Sequence, residues 1–111
     1  MKKARGPGRR LRIYISSNDQ WHGRPLYAAI VQEARKQGMA GATAARGVMG
    51  YGAHSAIHES HILQLTNNLP MVVEIVDTAD KVQAFVLHLD GMVQEGVITV
   101  SDVEVITYAK Q

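Results

Sequence analysis

From Leu11 to Ser16 the chain alternates Leu11, Ile13 and Ile15 with Arg12, Tyr14 and Ser16. That period of two predicts a strand with one buried face. A turn at residues 17–20 follows, and Pro25 suits a first helical position because its missing N–H would find no partner there anyway. Leu26, Tyr27, Ile30, Val31 and Ala34 then form a stripe at helical spacing, with Glu33, Arg35, Lys36 and Gln37 mostly off it and Gly38 as a left-handed stop. Thr43 to Val48 reads as a second strand, weakly marked because Ala44 and Ala45 have low β preference. Met71 to Val76 is nearly continuous apolar chain behind Pro70, and predicts a third strand. Thr78 caps a second helix with the stripe Val82, Phe85, Val86, Leu89, Met92 and Val93, which places Gly91 inside the helix and Gly96 at its stop. Val97 to Val100, a Ser101-Asp102 turn and Val103 to Tyr108 complete the pattern.

The order strand, helix, strand, long loop, strand, helix, strand predicts an α+β fold of the ferredoxin-like βαββαβ kind. Its antiparallel sheet would carry both helices on one face. The other face is then uncovered, and Tyr14 with residues of strands two and three needs a partner surface. An oligomer is the expectation.

Composition changes this picture little. The chain has 111 residues, 46% of them hydrophobic, enough for one domain with a modest core built from aliphatic side chains. The formal net charge is +2, and Lys2, Lys3, Arg5, Arg9, Arg10 and Arg12 concentrate positive charge at the start. Residues 1–10 read as a disordered basic tail broken by Gly6-Pro7-Gly8, ahead of a domain over 11–111. Such a tail can touch nucleic acid or an acidic membrane surface, but no aromatic stands in it to stack on bases, so nucleic acid is not the expected partner. There are no cysteines, which excludes disulfides, thiolate metal sites and cysteine nucleophiles. With no secretory h-region and no apolar run long enough to span a bilayer, a cytoplasmic protein is expected.

The chemistry concentrates at Gly41 to Gly52 and the loop after it. Gly47, Gly50 and Gly52 allow close backbone approach and positive φ, as a turn holding an anion requires, although no P-loop or dinucleotide spacing is present. Arg46 could offer a guanidinium fork to phosphate or carboxylate, or pair with a carboxylate across a subunit contact. Trp21 and His22 either border the same cleft or close one end of the core. A stretch as long as 53–68 inside a compact domain is a functional loop or an interface, and Ile57, Ile62, Leu63 and Leu65 suit either a turn of helix or a strand. His54, His58 and His61, with Glu59 nearby, would share one face of a helix there and could take a divalent metal. Ser55, His58 and Glu59 are close in sequence, but a flexible loop does not pre-organise a triad, so no enzyme is expected.

Several of these motifs together resemble a known family. Trp21-His22-Gly23-Arg24-Pro25-Leu26-Tyr27, Gly38-Met39-Ala40-Gly41-Ala42-Thr43, Arg46-Gly47-Val48-Met49-Gly50-Tyr51-Gly52, and Leu69-Pro70 leading into Val73-Glu74-Ile75-Val76-Asp77 are similar to the bacterial PII-like domain of unknown function, over about 11–108. The resemblance implies a homotrimer of ferredoxin-like subunits with a small effector, an anionic metabolite or a nucleotide, in the clefts between neighbours. It implies a mobile loop over 53–68 that docks on a transporter or enzyme, and regulation rather than catalysis. Residue by residue, it makes Arg46, Gly47, Gly50, Tyr51, Gly52, His54, Trp21 and His22 the effector-site candidates. His54 stands where PII proteins that bind a magnesium nucleotide carry Gln, and Gly96-Val97-Ile98-Thr99 lacks the basic residue their second loop brings to phosphates. Magnesium, 2-oxoglutarate and ATP are therefore not carried over with the fold. The other expectations are a metal-responsive or metal-carrying trimer using the loop histidines, and a structural adaptor.

Overall fold

The architecture follows from where each residue on the strands points. In a computed structural model, which describes residues 2–51 and 68–110, the chain runs β1 (Lys2–Ser16), β2 (Gln20–Trp21), β3 (Arg24–Pro25), α1 (Leu26–Lys36), β4 (Ala42–Arg46), β5 (Pro70–Asp77), α2 (Ala79–Asp90) and β6 (Val97–Ala109). Four strands form one antiparallel sheet in the order β4-β5-β1-β6, and β2 pairs with β3 in a small separate hairpin. This is the expected ferredoxin-like α+β arrangement.

The register sorts side chains onto two faces. Leu11 lies opposite Ile75, Ile13 opposite Val73 and Ile15 opposite Met71. All six are buried together with Leu26, Ala29, Ile30 and Ala34 of α1 and Val82, Phe85 and Leu89 of α2. The alternate positions, Arg12 opposite Glu74 and Tyr14 opposite Val72, fall on the face away from this core.

The helices end where local chemistry stops them. Thr78 Oγ1 accepts from Lys81 N at 3.3 Å, the expected N-cap of α2. Pro25 occupies the N-cap of α1 rather than its first helical residue, and Leu26 N donates to Asp19 O at 2.7 Å. Gly38 takes φ 77° after α1. For α2 the expected stop is displaced: Gly91 is the C-cap, not an interior residue. Gly96 instead opens β6, where an added Cβ would lie 2.7 Å from Tyr14 O.

Two further expectations are corrected. Residues 2–10 are not a solvated tail, because β1 continues through them, pairing from Lys2 opposite Ala109 inward. β6 is correspondingly one strand, and no turn interrupts it at Ser101-Asp102. The basic run alternates: Lys3, Arg5 and Arg9 share a face, with Lys3 Nζ 5.7 Å from the Tyr108 ring centroid, Arg5 Nε 3.8 Å from Glu104 and Arg9 Nε 3.2 Å from Asp102. Exposed pairs of this kind contribute about 0–1 kcal/mol each, so backbone pairing holds the ribbon. Pro7 is tolerated because β1 pairs with β5 only from Arg9 onward, leaving one side of the ribbon without a ladder.

Candidate functional site

Four of the sequence-predicted residues, Arg46, Gly47, Gly50 and Tyr51, follow one another at the end of the sheet where β1 and β4 finish and β5 begins. Gly47 N donates to Pro70 O at 2.7 Å, extending the β4–β5 pairing by one bond. A Cβ on Gly47 would meet Pro70 Cγ at 2.7 Å, and one on Gly50 would meet the same atom at 3.3 Å. These glycines therefore have a packing reason: they let the chain leaving β4 fold over the Pro70 ring. The Gly47 N–H is already bonded and does not face an anion.

Next to them, the exit of β1 is tied to the start of β5. Ser17 N donates to Leu69 O at 2.7 Å, Leu69 N donates to Ser17 Oγ at 2.8 Å, and Ser16 Oγ bonds to Asn68 Oδ1. Asp19 closes the turn, its carboxylate accepting from Ser16 N at 2.9 Å. Tyr51 and Asn68, the described residues on either side of 52–67, thus both belong to segments fastened at this sheet end.

On this frame Arg46 is exposed and, among the described residues, its side chain makes no hydrogen bond or ion pair. It shares the helix-side face with Met71, its partner in register, at the last position of the edge strand. Val48 and Met49 are exposed, and Tyr51 is 73% exposed. A charged fork, an aromatic ring and apolar side chains are thus all exposed within six residues of sequence, 46–51. They suit an anionic group attached to a flat or apolar body.

Trp21 and His22 form a second cluster. Their rings stack 3.9 Å apart at 11°, and Arg24 lies 5.8 Å from the Trp21 ring centroid. His22 at φ 51° and Gly23 at φ 77° make the tight turn between β2 and β3. Trp21 packs against the core. Among the described residues no hydrogen bond, ion pair or ring contact joins this cluster to Arg46 or Tyr51. Gly52, His54, His58 and His61 lie outside the described residues, as do Ser55 and Glu59. Among the described residues no group of three His, Cys, Asp or Glu side chains is arranged to hold a metal.

One feature was not foreseen from the sequence. A cleft of about 280 Å³ opens between the exit of β1, the start of α1 and the segment after α2, lined by Asn18, Asp19, Gln20, Leu26, Met92, Gln94 and Glu95. The lining residues come from two stretches far apart in sequence, 18–26 and 92–95, and only the fold brings them together. No basic side chain lines the cleft, so it does not by itself complete an anion site.

On the open face, Arg12 Nε donates to Glu74 Oε2 at 2.7 Å. That bond, more than any other influence, holds the guanidinium pKa above its ordinary value. The pair is therefore charged wherever Glu74 is ionised. Tyr14 is 40% and Val97 53% exposed on the same face.

Comparison with known proteins bears on this geometry. The model of the DUF190 family, described as "Uncharacterized ACR, COG1993", matches residues 8–105. A UPF0166 protein of Aquifex aeolicus is 38% identical over 96 residues, covering 86% of this chain and 90% of that protein. A UPF0166 protein of Methanocaldococcus jannaschii is 30% identical over 96 residues, covering 86% and 88%. Among solved structures, CPII bound to ADP and bicarbonate, from Thiomonas intermedia K12, aligns with a TM-score of 0.64 at 17% identity over 92% of this chain and 91% of that one. The apo form of CPII, a nitrogen regulatory PII-like protein, gives 0.63 at 12% identity over 96% and 100%. At these identities the structural likeness establishes the fold, a ferredoxin-like domain of the PII type.

Proposed function

We propose that this chain, which belongs to the DUF190 family, also written UPF0166, is a PII-like regulatory protein that works as a homotrimer. A small effector, an anionic metabolite or a nucleotide, binds in the clefts between its subunits. What carries the reading is the likeness, over nearly the whole chain, to a PII-like protein whose solved form holds ADP and bicarbonate. The open sheet face supports the assembly, since Tyr14 and Val97 leave apolar surface that a neighbouring copy can cover. Arg46, exposed and without an ion pair among the described residues, supports an anionic ligand at the sheet end. Among the described residues no helix is long and apolar enough to cross a membrane.

The mechanism is a population shift. An effector that prefers one arrangement of the 53–68 segment changes the affinity of the protein for a target, such as a transporter or enzyme, by its differential affinity for the two arrangements. Gly47 and Leu69, on the two sides of that segment in sequence, are both hydrogen-bonded at the sheet end where β4 closes on Arg46. Regulation of this kind needs no catalytic residues.

A thermal-shift screen over ADP, AMP, bicarbonate, cyclic dinucleotides and divalent metals tests the reading. A ligand that binds the native state raises the melting point, by about 2.7 kcal/mol of stability at a hundredfold excess over Kd. The expected outcome is a shift with at least one anionic ligand that Arg46→Ala abolishes while leaving the ligand-free melting point unchanged. Silence from every compound would count against an effector, and a monomer at micromolar concentration would remove the inter-subunit site.

A further inference from the structure

β1 pairs with β5 only from Arg9 onward, so over residues 2–8 it runs with β6 as a two-stranded ribbon. At about 3.3 Å per residue, the end of that ribbon stands roughly 23 Å beyond the last β1–β5 pair. It lies at the end of β1 opposite to Ser16, and so away from Arg46 and the fastened sheet end. Residues 2–5 and 106–110 make up this end, and all of them are exposed. They include Lys2, Lys3, Arg5 and Lys110 and no acidic residue. The acids of β6, Glu104 and Asp102, lie further in, opposite Pro7 and Arg9. The register sets Lys3 opposite Tyr108 and Arg5 opposite Ile106, so two cations, an aromatic ring and an aliphatic side chain share one face. Lys3 Nζ is 5.7 Å from the Tyr108 ring centroid, and Tyr108 is 59% and Ile106 38% exposed.

We propose that this ribbon end is a docking surface for an anionic phospholipid bilayer. The match has two layers. Lipid phosphates attract the basic side chains, and each Lys or Arg close to such a surface strengthens binding about fivefold. Tyr108, an apolar ring with a polar tip, suits the depth of the headgroups, and Ile106 leaves water for the acyl boundary. The long stems of Lys3 and Arg5 let their charges stay among the phosphates while the ring and the aliphatic side chain go deeper. Contact stops at that depth, because the outward backbone groups of a two-stranded ribbon need water or headgroup partners that the hydrocarbon core does not offer. Charge alone would suit nucleic acid equally well. However, residues 2–5 and 106–110 include no Asn or Gln to read base edges, and Ile106 beside the cations would meet only sugar and phosphate. The proposal uses neither Arg46 nor the open sheet face, so it is independent of the effector and assembly readings.

The test is co-sedimentation of the full chain with vesicles of phosphatidylcholine alone and of phosphatidylcholine mixed with phosphatidylserine. Binding is expected to the mixed vesicles only, and it should weaken as salt rises. Replacing both tip lysines, Lys2→Gln with Lys3→Gln, should weaken it about twenty-five-fold. Tyr108→Ala should weaken it about threefold while leaving the salt dependence as it is. Arg35→Gln with Lys36→Gln removes the same charge from α1 and should change binding by less than about twofold. All these side chains are exposed, and the melting point of each variant checks that the fold is kept. The proposal is overturned if the mixed vesicles bind no protein, if the α1 variant loses as much as the lysine variant, or if Tyr108→Ala binds as tightly as the unaltered chain. Binding to duplex DNA without binding to the mixed vesicles would assign the ribbon end to nucleic acid instead.

Discussion

Ile13 and Tyr14 are adjacent on β1 and occupy opposite environments. Ile13 is fully buried beneath the helices, whereas Tyr14 is 40% exposed on the other face. The difference comes from the helices, which both settle on the face where Leu11, Ile13, Ile15, Met71, Val73 and Ile75 converge. One face is finished within the subunit. The other combines Tyr14, Val72 and Val97 with the Arg12–Glu74 pair and with Arg10, whose buried Nε has no hydrogen-bond partner among the described residues. One strand therefore folds the subunit with its odd residues and, in the proposed assembly, meets a neighbouring copy with its even ones.

Substitutions on the two faces should separate these purposes. The largest effect is expected from Ile13→Ala, which removes a buried side chain from the centre of the core and should cost about 2–5 kcal/mol in denaturant unfolding. A loss below about 1 kcal/mol would mean the core is not where it is described. Gly96→Ala comes next, at about 1–3 kcal/mol, because the new Cβ would meet Tyr14 O at 2.7 Å and Ile15 Cγ2 at 3.0 Å. This change probes the point where β6 joins the sheet beside Tyr14, and a neutral result in thermal unfolding would deny that close approach. Tyr14→Asp should do least to the fold of each subunit. Its far-UV spectrum should stay native while light scattering shows the assembly mass falling toward that of one chain. An unchanged trimer would show that the open face is not the contact.

Legibility in the sequence follows the same division. The core face could be read in advance, because period-two and helical stripes report burial directly: the β1 alternation, the α1 stripe and Thr78 as a cap all reappear in the structure. The ribbon of β1 and β6 could not. Lys2 to Arg10 carries the marks of a solvated tail, and its order comes from pairing with residues almost a hundred positions away, which no local window contains. The same pairing overrode the turn preference of Ser101-Asp102. The β2–β3 hairpin was missed because His22, rather than Asn, precedes Gly23 at the positive-φ corner.

The site was legible in part. Arg46, Gly47, Gly50 and Tyr51 do stand at the end of a strand, where the glycine spacing put them. Their relation to Pro70 was not legible, because it depends on the β4–β5 register. Glycines read as a possible phosphate cradle now have a packing reason in a proline ring lying across from them. The anion-binding case rests on Arg46 rather than on free backbone N–H groups.

Binding of an anionic effector at the sheet end of the assembled protein can be measured by calorimetric titration. ADP, alone and with bicarbonate, would be titrated into the native protein and into Arg46→Ala at the same concentration. Saturable binding to the native protein, near one ligand per chain, and at least tenfold weaker binding to the variant are expected. Equal binding by both proteins would place the ligand elsewhere. No binding of either ligand by a protein that is folded and trimeric would rule out the proposed effector site.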